Sequence, residues 1–207
     1  MTRRGVRLIA ATARGSLSLR TTVMKPWKTL SRNPVLHRGK FLTVEDHRVE
    51  LPDGRVIADW PWLVMPDYVN VIAETVGGKI LCFRQIKYAV GGDVTLAPVG
   101  GYVEIGEPPE AAARRELREE TGYEAELWIP LGRFVADGNR GGGVANLFLA
   151  RGAKESGVPA DSDDLEEQEL VELTRDELRR ALDQGEFKVL AWGANAALAL
   201  LRLEGTP

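Results

Sequence analysis

The chain has 207 residues, of which 44% are hydrophobic and 28% charged; that suffices for one sizeable core and argues against wholesale disorder. Its single cysteine, Cys82, excludes an intrachain disulfide and a multi-cysteine zinc ribbon, and its longest apolar stretch, residues 189–201, is interrupted by Gly193 and Asn195 and is too short to span a membrane. The formal net charge of −3 conceals an asymmetry, because residues 1–40 hold ten Lys or Arg and no Asp or Glu, which leaves −13 on the remainder.

Residues 1–24 form a basic head. Three readings suit it: a solvated leader without fixed structure, an Arg-rich organellar targeting segment, or sequence upstream of a start at Met24. Its apolar piece, residues 6–13, is split by Arg7 and lacks the continuous core of a signal peptide. Residues 25–65 read as an appended unit. Strands are expected at 41–44 and 48–51, a tight turn at Pro52-Asp53-Gly54, and returning strands at 55–60 and 62–65. The expectation is a small antiparallel sheet ahead of the main domain.

The main domain spans 66–207. Residues 68–73 alternate as a half-buried strand does, and Gly77-Gly78 turns the chain into a second strand at 79–85. A short strand at 94–98 ends at Gly100-Gly101. Residues 108–121 predict a helix with proline in its first turn and Gly122 at its stop. Strands are expected at 124–131, 144–150 and 169–174. Thr174 should cap a helix over 175–182, with Asp176 and Glu177 in its first turn, and 188–203 a last helix. This order predicts an α/β sandwich with a mixed sheet, not a doubly wound fold.

Within the first helix, Glu116 and Glu120 are four residues apart and share a face, with Glu119 beside them. Like charges at that spacing repel by a few tenths of a kcal/mol. A divalent cation reverses that sign, and hard oxygen ligands suit magnesium or manganese. Arg115 can pair with Glu119 across one turn. Taken with Gly101, Glu107 and Gly122, these residues match without departure the pattern Gly, five residues, Glu, seven residues, Arg-Glu, an aliphatic, one residue, Glu-Glu, one residue, Gly, an apolar residue. A chance match in a chain of this length is on the order of one in ten million.

The pattern is that of the Nudix box, and the chain resembles the Nudix hydrolases. The resemblance implies an α/β/α sandwich and cleavage of a nucleoside diphosphate linked to another moiety, with bound Mg2+ or Mn2+. By matching position, Glu116 and Glu120 would be the principal metal ligands, Glu119 a further ligand or a water-positioning carboxylate, and the Gly100 carbonyl a backbone ligand. Glu107 would be a structural or water-mediated contact in the loop, and Arg115 would orient the glutamates.

From about Lys25 to Leu203 the chain is similar to the ADP-ribose and ADP-sugar pyrophosphatase branch, which carries an antiparallel sheet ahead of the Nudix fold. That branch implies a homodimer through the N-terminal sheet, adenine enclosed by aromatic residues, here Trp60 and Trp62, and a carboxylate base in a loop after the box. The base candidates are Glu166, then Glu169 and Glu167. Arg84 and Lys87 are candidates for the diphosphate or ribose, Arg as a fork and Lys as a point charge. One departure stands out: related enzymes often carry a proline 15 or 16 residues past the box, where this chain has Gly138 and Asn139 in a glycine-rich stretch, residues 137–143. That stretch reads as a lid, a phosphate cradle or a plain flexible loop. The expected reaction is metal-assisted hydrolysis of a nucleoside diphosphate sugar to a nucleoside monophosphate and a sugar phosphate, in the cytoplasm, with neither nucleic acid nor membrane as partner. The alternatives are hydrolysis of dinucleoside polyphosphates or oxidised nucleotides, or a non-catalytic nucleotide-sugar sensor.

Overall fold

The structure, a computed structural model, describes residues 24–157, 159 and 167–205; the basic head up to residue 23 and Glu166 lie outside the described residues. Its elements in chain order are β1 (Lys28–Arg38), β2 (Leu42–Glu50), β3 (Val56–Val64), β4 (Tyr68–Thr75), β5 (Ile80–Ile86), β6 (Val94–Ala97), α1 (Pro109–Thr121), β7 (Tyr123–Glu124), β8 (Leu127–Asp137), β9 (Gly141–Glu155), β10 (Gln168–Leu173), α2 (Arg175–Asp183) and α3 (Leu190–Glu204). The sheet runs in the order β1-β2-β3-β9-β4-β5-β10, with β6 on β5 and with β7 and β8 on β9.

Strands β4 and β9 are parallel and central, in register from Tyr68 opposite Ala145. A central parallel strand is covered on both faces and reads as an apolar run, as Val69, Val71, Ile72 and Ala73 do. One face packs Val69, Val71, Leu81 and Phe83 against Ala112, Ala113 and Leu117 of α1. The other packs Ile72, Ile80 and Leu149 against Leu178 of α2 and Ala196, Ala199 and Leu200 of α3. The result is the expected α/β/α sandwich. Cys82 is buried in the second layer, where loss of water contact pushes its thiol up to about 12.

Leu117 has no solvent-exposed surface, although α1 carries the charged motif on its other side. Leu117→Ala should therefore lower unfolding free energy by about 2–5 kcal/mol. In urea titration the midpoint should fall while the slope stays constant; a loss below ~1 kcal/mol would mean that this face of α1 is loosely packed.

The N-terminal strands are antiparallel, as expected, but among the described residues there are three, and they join the main sheet. β1 was not anticipated. It pairs with β2, with irregularities next to Ser31 and Pro34. An edge strand tolerates proline because one side needs no donor. Every residue of β1 is exposed, so it has no alternation to read. β3 runs straight through Pro61 and meets β9 at Leu63 opposite Gly141. The glycine-rich stretch is a hairpin turn followed by the start of β9. Gly141, Gly142 and Gly143 have φ of 81°, 80° and 83°, a region that side chains disfavour. A Cβ on Gly143 would lie 2.5 Å from the Pro66 carbonyl oxygen, and one on Gly141 would lie 2.7 Å from the Trp62 ring. These glycines thus let the N-terminal strands close onto β9.

The helix ends follow their local chemistry. Pro109 opens α1, and Gly122 closes it at φ 73°. Thr174 and Glu177 form a complete capping box on α2. Buried Glu74 receives Arg151 Nε at 2.9 Å and Arg175 Nε at 2.8 Å, which ties β9 and α2 to β4.

Candidate active site

The carboxylate cluster is organised around Arg115. Its Nε and Nη2 fork onto the two oxygens of Glu107, each at 3.0 Å. Nη1 donates to Glu116 at 2.7 Å and to Glu119 at 3.2 Å, and Nη2 also reaches the Tyr102 carbonyl at 3.1 Å. One planar cation thus fixes the loop before α1 to the glutamates on it. Glu107 is held below the ordinary glutamate range, chiefly by the Arg115 hydrogen bonds. Burial pushes the Glu116 carboxyl up, against the pull of Arg115. Arg115 itself is raised, first by Glu107.

Glu120 is anchored to the incoming chain: the Gly100 amide donates to its Oε2 at 3.0 Å. A Cβ on Gly100 would lie 2.2 Å from the Val69 carbonyl oxygen, so only glycine fits there. Gly101 packs directly on the Glu116 carboxylate. Gly100, Glu116, Glu119, Glu120 and Arg115 are therefore brought together as expected.

Among the described residues, no group of three His, Cys, Asp or Glu side chains is arranged to enclose a metal ion. Glu116 and Glu119 instead each lend an oxygen to Arg115. The donor chemistry nevertheless suits a hard divalent cation. The set is all oxygen, and Glu116 is desolvated and next to a repelling Glu119, a situation that a cation relieves.

Next to the box is a cavity of about 380 Å³, walled by Lys87, Asn70, Gly100, Gly101, Tyr102 and Trp192 among others. Lys87 faces the same space as the box entry. Arg84 does not line it; it is exposed, opposite Glu169 in the β5–β10 register, in a groove that also contains Glu167. Glu167 and Glu169 are exposed, and neither lines the cavity beside Gly100.

Trp60 and Trp62 are half-buried and occupied by contacts within the chain. The Trp60 indole donates to the Asn139 carbonyl at 3.0 Å, with Arg140 over its ring and Trp27 edge-on at 5.1 Å. Trp62 stacks on His47 at 5.3 Å.

Residues 65–193, more than half of the chain, match the NUDIX domain. The chain belongs to the Nudix family. Residues 27–63 match a nucleoside diphosphate sugar hydrolase N-terminal domain. The chain is 30% identical over 177 residues to an ADP-ribose pyrophosphatase of Bacillus subtilis, covering 86% of this chain and 92% of that one. It is 33% identical over 139 residues to a methanol dehydrogenase activator of Bacillus methanolicus, covering 67% and 74%. A solved structure of an ADP compounds hydrolase superposes with a TM-score of 0.70 at 19% identity, over 88% of this chain and 96% of that one, a likeness of fold.

Asn70, Tyr102 and Trp192 are among the wall residues that the sequence reading did not single out. Asn70 did carry a signal, as an amide inside the apolar buried run from Val69 to Ala73. Tyr102 sits at a variable position of the box, and Trp192 is one apolar residue among many on α3.

Proposed function

We propose that this Nudix enzyme hydrolyses the diphosphate bond of a nucleoside diphosphate sugar, with ADP-ribose or an ADP-hexose as first candidates. The observation that carries the reading is that an N-terminal unit of the nucleoside diphosphate sugar hydrolase type shares one sheet with the domain that carries the intact Nudix box. A bound Mg2+ or Mn2+ supplies charge neutralisation and an acidified water. Glu116, Glu120 and the Gly100 carbonyl would hold it, with Glu119 as a further ligand or water-positioning group. Lys87 offers positive charge to the diphosphate, and Arg84 a second cation farther along β5. Arg115 keeps the glutamates oriented. Glu166 takes the proton from water, with Glu169 and Glu167 as alternatives. Water oxygen bonds to one phosphorus, the bridging P–O bond breaks, and a nucleoside monophosphate and a sugar phosphate leave. Chromatographic product analysis over a panel of nucleotide sugars and nucleoside triphosphates tests this; higher catalytic efficiency on a triphosphate than on every nucleotide sugar would overturn the substrate class.

Residues 25–65 act in this reading as an appended sheet and 66–207 as the catalytic domain, working in the cytoplasm. A homodimer through the N-terminal sheet is part of the same proposal. β1 is an 11-residue edge strand with every residue exposed, and Trp27, Leu36 and Phe41 nearby or within it are exposed too. A long open edge with apolar side chains invites pairing. Sedimentation at micromolar concentration should give a dimer, and a stable, active monomer would contradict it.

Trp60 and Trp62 remain the candidates for stacking on the base, and their intramolecular contacts make the test informative. A stacking residue changed to alanine should weaken substrate binding by about 1–3 kcal/mol, whatever its packing loss does to the melting temperature. A residue serving only as a joint should lower the melting temperature and leave the KM of the folded fraction unchanged.

A further inference from the structure

Asn70 lies on β4 among residues with no exposed surface, and it is itself more than nine-tenths buried. Its Oδ1 has no hydrogen-bond partner. An unpaired buried acceptor costs stability, a penalty that an apolar residue in the same strand would avoid. The other such orphan among the described residues, Asn195 Oδ1, sits wholly inside the packing of α3, where its Nδ2 donates to the Phe148 carbonyl at 3.1 Å. Asn70 differs in its surroundings. It lines the cavity beside the box, with Lys87, Gly100, Tyr102 and Trp192.

We propose that Asn70 is a specificity residue of that cavity, accepting a hydrogen bond from an O–H group of the bound complex, either a hydroxyl of the substrate's sugar or a water held beside it. The proposal rests on the nucleotide-sugar reading above. A diphosphate offers only acceptors, so it pairs with Lys87 and leaves Oδ1 unsatisfied. A sugar carries O–H donors, and its C–H face can lie on the Trp192 ring. Oδ1 is enclosed in the unliganded protein, and a turn about the Cβ–Cγ bond, a broad two-fold torsion in asparagine, presents it to the cavity.

Asn70→Leu removes the acceptor at similar volume. The unliganded variant should melt no lower than wild type, because an orphan polar group has gone. Its kcat/KM on ADP-ribose should fall roughly tenfold, ~1.4 kcal/mol. If the donor is a sugar hydroxyl, the loss sits in KM and vanishes on an ADP-ribose analogue lacking the terminal sugar's hydroxyls. If it is water, the loss sits in kcat and is equal on both substrates. Asn70→Val, smaller and suited to a strand, carries the same expectations should the leucine variant not fold. Unchanged kcat/KM in an active enzyme overturns the role of Asn70 alone. So does a drop in melting temperature with unchanged kinetics per folded molecule, the result expected if Asn70 only holds an internal water. If wild type hydrolyses no nucleotide sugar, the proposed function fails and this inference with it.

Discussion

Glu120→Gln should lower turnover on the preferred substrate by at least about tenfold, ~1.4 kcal/mol of transition-state stabilisation, and chelation of divalent cations should abolish it in wild type. The substitution is close to isosteric. Glutamine keeps a carbonyl oxygen able to accept the Gly100 amide, a contact of 3.0 Å in the parent chain. The melting temperature should therefore stay near that of wild type, and the loss should trace to the missing charge. Added cation should restore part of the variant's rate, since a weaker ligand set is filled at higher concentration. Undiminished hydrolysis by the glutamine variant would remove Glu120 from the ligand set. Activity that survives chelation would remove the cation from the mechanism altogether.

What the sequence revealed about this fold follows how local each feature is. The helix of the box was legible from proline at its start, glycine at its stop and the apolar spacing of Ala113 and Leu117, all within one element. The Thr174 cap was legible for the same reason. The joining of the N-terminal strands to β9 was not, because it depends on Leu63 meeting Gly141, residues far apart in the chain. The glycines at 141–143 resembled a flexible loop, since close approach by Trp62 and Pro66 leaves no mark in the local pattern. β1 escaped because exposure on both faces erases the period of two on which strand reading depends.

In the site, residue types were readable and their grouping was not. The pattern of glutamates marked α1 as the candidate metal-binding helix, and the structure adds that Arg115 binds Glu107, Glu116 and Glu119 at once. Arg84 and Lys87 looked equivalent as two cations three residues apart at a strand end. They separate because the strand ends at Ile86, so that Arg84 stays opposite β10 while Lys87 turns toward the box. Asn70 was passed over because an amide in an apolar strand gains meaning only when its neighbours and its missing partner are known.

Arg115→Lys should show how much of the site is held by one guanidinium. Lysine keeps the charge, but its three donors on one nitrogen cannot reproduce the fork onto Glu107 while reaching Glu116, Glu119 and the Tyr102 carbonyl. Side chains of Arg115 and Glu107 are only 21% and 17% exposed, so the lost charge-assisted bonds are weakly screened. The expected cost is about 1–3 kcal/mol of stability. It should depend on pH with a definite sign. Glu107 has a depressed pKa in the folded protein, so its pairing contributes fully above the ordinary glutamate value and is lost as pH falls through the depressed one. The stability gap between wild type and variant should thus be widest near neutrality and narrow in acid. Arg115 acts through the glutamates, so the variant should also need more Mg2+ or Mn2+ for half its maximal rate, a shift that simple loss of folded protein does not produce. An equal stability gap at pH 7 and pH 3, together with an unchanged cation requirement, would show that Arg115 is a surface charge and that the glutamates are positioned by the glycines and by α1 alone.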